Sequence, residues 1–168
     1  KLVPFGEFLP FENILSKLGL KKITQGYQSF SSSKLKRKNI KLDNLMNFLP
    51  LICYEIIYSG ELNNTNEKYN FIINISEDGW FGNSIGLEQH FSHSIFRSIE
   101  EGKSLIRSSN NGISAYINPV GQVINKIEST KKGVIVIKDK YKAKNTFFSN
   151  FGNKIFFYFL IFYIILIF

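Results

Sequence analysis

The chain has 168 residues, enough for one hydrophobic core of ordinary size, and 44% of them are hydrophobic and 15% aromatic, which excludes a disordered protein. Its net charge is +8, yet only Arg37, Arg97 and Arg107 are arginines among the 21 basic residues. Because nucleic-acid binding proteins rely on arginine for bidentate and stacking contacts, this lysine excess argues against a nucleic-acid partner.

The first third of the chain predicts a short helix, an exposed loop and a buried strand. Residues 11–18 have the pattern of a helix that ends at Gly19. Residues 27–39 have the serine and lysine content of an exposed loop. The apolar run over residues 48–55 predicts a buried strand, in which Pro50 must lie at an edge or at the start.

The middle of the chain predicts a second buried strand and a long helix. Residues 68–76 read as the strand, which leads into a loop with three glycines around Trp80 and Phe81. Residues 87–103 predict the helix, with one apolar stripe. That stripe consists of Leu87, Phe91, Ile95 and Ile99.

Short strands separated by tight turns are predicted after this helix. Asparagine, proline and glycine in the linkers "NNG" and "NPVG" suit hairpin turns. The predicted strands are "SLIRSS", "ISAYINP", "GQVINKI" and "GVIVIKD". Strands separated by helices, followed by hairpins, indicate a mixed α/β fold.

The C-terminal segment predicts contact with a membrane. Residues 155–168 carry no charge, and a helix of that length rises only about 21 Å, whereas a count from Phe147 reaches spanning length. We therefore expect a transmembrane segment over residues 147–168, with a buried core helix as the alternative. Two basic segments, 34–41 and 126–144, are either solvated loops and strand edges or contacts for anionic lipid headgroups.

Cys53 is the only cysteine, which excludes an internal disulfide. It stands at the carboxyl end of a predicted buried strand, where a nucleophile would be held still and nearby helix amides would lower the pKa of the thiol. An inert buried cysteine is the alternative from position alone. Glu55, two residues later, would orient a lysine or contact the substrate.

Other candidate residues are more ambiguous. His90 and His93 stand three apart on the predicted helix, and without further strong ligands we expect surface or satisfied histidines rather than a metal site. Glu7 follows a glycine bend and has no distinctive pattern of its own. Trp80 and Phe81 suit either the core or an apolar acyl pocket.

Four motifs in order resemble the nitrilase (carbon-nitrogen hydrolase) superfamily and, within it, the apolipoprotein N-acyltransferases. They are "KLVPFGEFLPFE", "ICYEIIYSGE", "NISEDGWFG" and the stretch that begins "EQHFSHSIFRSIEEGKSLIRSSNNG". The resemblance covers residues 1 to about 140, and the apolar tail is similar to the last transmembrane helix of that family. It implies part of an αββα sandwich over residues 1–145, followed by the transmembrane segment over 147–168.

The resemblance also implies the roles of individual residues. Cys53 matches the nucleophile of a Glu, Lys, Cys triad, and Glu7 matches a glutamate that supports the lysine. Tyr54 and Glu55 match required residues after the nucleophile. Trp80 and Phe81 match an aromatic pair near the lipid entrance. The family's general-base glutamate and catalytic lysine would precede residue 1, so a separate N-terminal part is an implied partner and Lys1 is not the catalytic lysine.

The implied reaction is acyl transfer at the periplasmic face of the bacterial inner membrane. A phospholipid would donate its acyl group to Cys53, and the N-terminal amine of a diacylglyceryl-cysteine apolipoprotein would accept it from the thioester. No metal or organic cofactor is implied. The alternatives are an amidase- or nitrilase-type hydrolase, with water as the acceptor, and a membrane-attached remnant without catalysis.

Overall fold

The structure is a computed structural model that describes residues 2, 4, 6–21, 37–42, 46–62, 67–138, 142 and 144–167. The chain divides into two compact units, residues 1–36 and 37–168. In the first unit, helix α1 spans Glu12–Leu15, and turns continue as far as Gly19, whose φ is 81°. The helix predicted for residues 11–18 is therefore confirmed over its first half. Most of the predicted loop at 27–39 lies outside the described residues.

The described part of the second unit contains a six-stranded mixed sheet with the strands in chain order. The three central strands are parallel, and the outer strands pair antiparallel to their neighbours. The strands are β1 (Ile40–Leu42), β2 (Met46–Ile52), β3 (Phe71–Glu77), β4 (Ser104–Asn110), β5 (Ser114–Ile117) and β6 (Val123–Ile127). This arrangement confirms the predicted mixed α/β fold.

The parallel strands place three segments at one edge of the sheet. Ile52 of β2 is in register with Ile75 of β3, which is in register with Ser108 of β4. A 3₁₀ turn over Cys53–Ile57 follows β2, and helix α2 (Gly86–Glu101) connects β3 to β4. Because the carboxyl ends of parallel strands meet at one edge, side chains that follow these strands lie close together.

Alternation along the strands puts an apolar core on the face of the sheet that α2 covers. Isoleucines on the opposite face are open to solvent: Ile52 is 71% exposed and Ile75 is 61% exposed. The buried cluster on the covered face consists of Leu49, Leu51, Ile56, Leu62, Tyr69, Ile72, Phe91, Leu105, Ile113, Ala115 and Ile117.

The predicted helix at 87–103 is confirmed as α2, but its apolar stripe is only partly buried. Phe91 is in the core, whereas Ile99 is 44% exposed. The buried residues of α2 are His90, Phe91, Ser94, Arg97, Ser98 and Glu101. The helix turns polar groups inward because the sheet beneath it carries the buried Arg107, which hydrogen-bonds to the helix.

Pro50 lies inside β2, contrary to the prediction that it marks an edge or the start of a strand. The pairs between β1 and β2 end at Phe48, so Pro50 is paired only with Ile73 of β3 within the described residues. A proline is tolerated there because the position needs fewer ladder hydrogen bonds than one between two strands.

The hairpins after α2 are confirmed, but the last predicted strand is wrong. Asn111, with a φ of 57°, turns the chain between β4 and β5. Residues 131–138 form no strand, and Val134 is 87% exposed. Alternating apolar residues need a partner strand, and among the described residues β6 pairs with β5 and with no strand on its other side.

The apolar tail forms two helices, α3 (Phe147–Phe151) and α4 (Lys154–Ile167). Gly152 separates them with a φ of 53° and a ψ of −142°, a conformation that breaks the helix predicted for 147–168. Within the described residues, no helix combines the length and hydropathy needed to cross a membrane. The residues of α4 from Phe156 to Ile167 are all exposed.

Candidate active site

Cys53 occupies a sharp turn at the carboxyl end of β2. Its φ is 50°, in the left-handed region, which costs a residue with a Cβ about 1–2 kcal/mol. The chain passes at this residue from extended strand directly into the 3₁₀ turn Cys53–Ile57. The side chain of Cys53 is half-buried. Such a strained strand-to-helix turn presents a nucleophile at the edge of a sheet.

Two side chains fix the backbone on either side of Cys53. Asn74 donates its amide to the carbonyl oxygens of Leu51, at 3.3 Å, and Cys53, at 3.1 Å. The Glu55 carboxylate accepts a hydrogen bond from the backbone N–H of Ile52 at 2.9 Å and forms an ion pair with Arg37. These hydrogen bonds fix the backbone on both sides of the strained residue and so hold the turn in place.

The Cys53 sulphur lies against β3. Its Sγ is 3.6 Å from the hydroxyl of Ser76 and 3.9 Å from the carbonyl oxygen of Glu77. The Ser76 hydroxyl also lies 2.6 Å from Oδ1 of Asp78. Ser76 and Asp78 are both buried. The thiol is therefore linked through one hydroxyl to a buried carboxylate.

Asp78 is the centre of a buried polar network. Its Oδ1 accepts from His90 Nδ1 at 2.9 Å, and its Oδ2 accepts from Arg107 Nη2 at 2.7 Å. Burial raises the pKa of Asp78, but hydrogen bonds from His90 and Ser76 and the charge of Arg107 outweigh it and hold the pKa well below its usual value. A Cβ at Gly112 would overlap this carboxylate, so glycine is required there.

Arg107 connects this network to the turn at Cys53. Its guanidinium is fully buried and donates to Asn74 Oδ1, to Asp78 and, at 3.2 Å, to the carbonyl oxygen of Ile113. Burial lowers the pKa of Arg107, and the negative charges of Asp78 and ionised Cys53 oppose that shift. Arg107 thus places a positive charge behind the turn at Cys53, and Asn74 links the guanidinium to the backbone of Cys53.

Three rings pack together as an aromatic wall that begins at Tyr54, the residue after Cys53. The ring of His90 is 4.8 Å from that of Tyr54 and 5.4 Å from that of Phe81, and Tyr54 and Phe81 are 6.1 Å apart. Trp80 lies next to this wall in the chain and is 63% exposed. An apolar wall with an exposed aromatic residue beside it suits a ligand with a hydrocarbon part.

The structure brings most of the predicted site residues to one edge of the sheet. Cys53, Tyr54, Glu55 and Phe81 are connected by the contacts described above. Glu7 belongs to the first unit, where it lies in a turn that Gly6 begins.

The histidines differ from one another. His90 is buried, and its Nδ1 is hydrogen-bonded to Asp78, as expected of a satisfied helix histidine. Its Nε2 has no hydrogen-bond partner among the described residues. His93 is half-buried, and burial together with the charges of Arg97 and His90 lowers its pKa. In the part of the chain that the structure describes, no three His, Cys, Asp or Glu side chains are grouped as metal ligands.

Asn74, Ser76, Asp78 and Arg107 were not singled out from the sequence. A signal was present, since the first three alternate along "NISED" on the side of β3 that also carries buried Ile72. Polar residues at alternate positions on the buried side of a strand require buried partners, which marks a polar site. The partner, Arg107, lies one strand away and is separated by a helix in sequence.

Comparison with known proteins places this site in a family context. The sequence model of the family described as Carbon-nitrogen hydrolase matches residues 2–138. The chain is 41% identical over 134 residues to the apolipoprotein N-acyltransferase of Rhodopseudomonas palustris, a match that covers 80% of this chain and 25% of that relative. It is 38% identical over 159 residues to the apolipoprotein N-acyltransferase of Rickettsia prowazekii, covering 90% of this chain and 30% of that relative. The chain thus spans between a quarter and a third of the length of these curated relatives.

Proposed function

Because this chain belongs to the carbon-nitrogen hydrolase family, we propose that it forms the nucleophile-bearing part of an apolipoprotein N-acyltransferase. The relatives in the comparison carry that name, and the family match over residues 2–138 includes the turn at Cys53 and the polar network beneath it. The proposed activity is transfer of a fatty acyl group from a phospholipid to the N-terminal amine of a lipoprotein.

One observation carries the proposal: Cys53 is held in a left-handed turn with its sulphur at the edge of the sheet. An inert buried cysteine gains nothing from a strained backbone, whereas a nucleophile gains a fixed direction of attack. The buried guanidinium of Arg107 donates to Asn74, whose amide in turn donates to the backbone carbonyl of Cys53, so the direction of this side chain is fixed from behind.

In the first step, the Cys53 thiolate attacks the ester carbonyl carbon of a phospholipid. A carbon–sulphur bond forms, the ester carbon–oxygen bond breaks, and the leaving alkoxide takes the thiol proton from the general base to give a lysophospholipid. The negative oxygen of the intermediate requires hydrogen-bond donors near Cys53. In the proposed enzyme, a glutamate base and a lysine complete the triad from sequence outside these 168 residues.

In the second step, the free α-amine of a diacylglyceryl-cysteine attacks the thioester carbonyl carbon. An amide bond forms, the carbon–sulphur bond breaks, and the amine proton passes through the base, so the thiol is restored. Both substrates carry long hydrocarbon chains. The wall of Tyr54, Phe81 and His90 supports binding of such a chain next to the sulphur.

The other site residues have proposed roles around this centre. Glu55 fixes the turn through the backbone of Ile52, and Tyr54 contributes a face to the acyl-binding wall. Trp80 lies at the solvent-exposed entrance next to Phe81. Glu7 is proposed to support the catalytic lysine from the first unit.

The apolar tail supports attachment to a membrane. Helix α4 exposes aromatic and aliphatic side chains along its length, which water solvates poorly and lipid solvates well. We place the catalytic part, residues 1–145, on the periplasmic face of the bacterial inner membrane, and we assign residues 147–168 to the lipid. The exposed Ile52 and Ile75 on the second face of the sheet support packing of a further layer, as in an αββα sandwich.

A chimeric enzyme tests the proposal. In the Rhodopseudomonas palustris relative, the aligned segment is replaced by the matching segment of this chain, and the purified chimera is given phospholipid and a diacylglyceryl-cysteine peptide. We expect an acylated peptide in the mass spectrum and, without the peptide, an acyl adduct on Cys53. The Cys53→Ala chimera should lose at least about 10³-fold in rate, because it has no nucleophile.

Ser108→Ala provides the matched control, since Ser108 is exposed at the same edge of the sheet and its loss should leave the rate unchanged. A folded chimera that forms neither an adduct on Cys53 nor an acylated peptide would contradict the proposal. Release of free fatty acid in place of the amide, with the acceptor present, would identify a hydrolase instead.

A further inference from the structure

The Ser76 hydroxyl lies between two acceptors but carries one proton. Its Oγ is 2.6 Å from Asp78 Oδ1 and 3.6 Å from Cys53 Sγ. While Cys53 is a thiol, its S–H donates to the carbonyl oxygen of Glu77, and the Ser76 proton goes to the shorter contact, the ionised carboxylate, which leaves a lone pair of the Ser76 oxygen toward the sulphur. Once the thiol proton leaves, that same oxygen would present a lone pair to a negative sulphur.

We propose that Ser76 is a positioning residue that turns its proton from Asp78 to the Cys53 sulphur when the thiolate forms. Rotation about the Cβ–Oγ bond moves the proton, and no covalent bond breaks. The thiol proton itself goes to the general base or, in the isolated chain, to water. The inference rests on the proposed role of Cys53 as the nucleophile.

Asp78 keeps enough donors for this rotation. When Ser76 turns away, His90 Nδ1 still donates to Oδ1 and Arg107 Nη2 still donates to Oδ2. The carboxylate therefore stays hydrogen-bonded and compensated in charge. Ser76 is only 6% exposed, so water is poorly placed to replace its hydroxyl at the sulphur.

Among the described residues, Ser76 carries the side-chain hydroxyl that contacts the Cys53 sulphur. The neighbouring Glu77 offers its backbone carbonyl, an acceptor, while its carboxylate is bonded to Asn110 and Asn111. The charged or titratable groups that the described contacts bring to this turn and its network are Arg37, Tyr54, Glu55, Glu77, Asp78, His90, Arg97 and Arg107.

The pH dependence of Cys53 alkylation tests the proposal on the 168-residue chain in detergent. The rate of reaction with iodoacetamide follows the thiolate fraction, so its midpoint measures the stability of the thiolate. In Ser76→Ala, we expect the midpoint to move upward by about one pH unit, because the thiolate loses a donated hydrogen bond. The rate at the high-pH plateau should stay within about two-fold of the wild type, since the thiolate itself remains as accessible as before.

Two further variants separate this role from a structural one. Ser76→Thr keeps the hydroxyl and should restore the midpoint, whereas Ser108→Ala, exposed on β4, should leave it unchanged. Asp78→Asn weakens the competing acceptor and frees the Arg107 charge, so it should move the midpoint downward. A loss of packing alone would not shift the midpoint in opposite directions in the two variants.

A wild-type midpoint in Ser76→Ala, with folding verified by circular dichroism, would overturn the inference and leave the proposed function intact. A downward or absent shift in Ser76→Ala together with an upward shift in Asp78→Asn would also overturn it. If Cys53 in the folded wild-type chain does not react at any pH from 6 to 10, both the inference and the proposed function fail.

Discussion

Cys53 keeps a left-handed backbone, with a φ of 50°, although its Cβ makes that conformation unfavourable. Asn74 and Glu55 hold the turn by hydrogen bonds to the carbonyl of Cys53 and the amide of Ile52. The strained backbone at Cys53 therefore lowers the stability of the fold, and it fixes the direction of the Cys53 side chain. Burial of the charged side chains of Asp78 and Arg107 also lowers stability, and their ion pair supports the site.

The strain at Cys53 predicts an order of stability for two variants that both lack the thiol. Cys53→Gly should unfold with a free energy about 1 kcal/mol higher than Cys53→Ala, because glycine adopts the left-handed region without the Cβ penalty. Urea titrations in one buffer compare the two directly. An alanine variant as stable as the glycine variant would show that the turn is not strained.

The lowered pKa of Asp78 predicts acid sensitivity. Burial raises this pKa, but the hydrogen bonds from His90 and Ser76 and the charge of Arg107 lower it below the unfolded value of about 3.9. The stability that Asp78 contributes is therefore present above about pH 4 and is lost as the pH falls through the folded pKa. From pH 5 to pH 2.5, the free energy of unfolding should fall more steeply in the wild type than in Asp78→Asn.

That variant should also begin about 3 kcal/mol less stable at pH 5, because it leaves the Arg107 charge buried without its carboxylate. Glu128→Gln serves as the control, since Glu128 is exposed and should not change the slope. Denaturant titrations at each pH give the free energies. Equal slopes in the wild type and Asp78→Asn would contradict the prediction.

Among the elements, the parallel strands β2, β3 and β4 determine where the site lies. Their carboxyl ends meet at one edge, so the turn after β2, the polar side chains of β3 and the guanidinium of β4 converge there. Helix α2 closes the covered face and contributes His90 from above. Behind it, the segment between α3 and α4 contacts the loop that follows the turn at Cys53.

This junction depends on two glycines that approach each other closely. A Cβ at Gly152 would lie 2.9 Å from the carbonyl oxygen of Gly60, and Asn153 donates its amide to the carbonyl oxygen of Ser59 at 3.0 Å. The apolar helix α4 is thereby joined to residues 59–60, shortly after the turn at Cys53. Loosening the junction should free the tail from the rest of the unit.

Gly152→Ala should weaken this junction by about 1–2 kcal/mol more than Gly82→Ala weakens its own loop. Gly152 and Gly82 share a φ of 53°, and their ψ values are −142° and −137°, so the backbone penalty is matched. A Cβ at Gly82 meets nothing within 4 Å, which leaves the clash with Gly60 as the difference. Hydrogen exchange of residues 147–153 measures how far Gly152→Ala weakens the junction, and hydrogen exchange around Gly82 measures how far Gly82→Ala weakens its loop. Equal changes in the two variants would rule out the close approach.

The whole molecule combines a net charge of +8 with an apolar C-terminal helix. Removal of residues 154–168 should lower binding to anionic phospholipid vesicles at least about ten-fold at 0.15 M salt, because the exposed apolar residues of α4 contribute most of the binding energy. Co-sedimentation of the full and shortened chains measures this.

The residual binding of the shortened chain should be electrostatic, and it should therefore disappear at 1 M salt or on zwitterionic vesicles. The full chain should remain bound under both conditions. If the two chains sediment equally with anionic vesicles at 0.15 M salt, the tail does not mediate attachment.

The sequence by itself determined the elements whose signals are local. Apolar runs predicted β2 and β3, the four-residue period predicted α2, and asparagine and glycine predicted the hairpins, because each signal depends on neighbours within a few residues. The ordered motifs around Cys53 determined the family. The same motifs predicted site roles for Cys53, Tyr54, Glu55 and Phe81, which stay predictions.

The features that depend on contacts between residues far apart in the sequence were decided only by the tertiary structure. Arg107 on β4 reaches Asn74 and Asp78, on and just after the neighbouring strand β3, across 33 and 29 positions, and Ser76 reaches the thiol across 23 positions. The inward polar face of α2 and the unpaired residues 131–138 depend on what lies opposite them, which no local pattern records. The ordered motifs thus predicted a nucleophile at Cys53, and packing decided which buried charges and hydroxyls surround it.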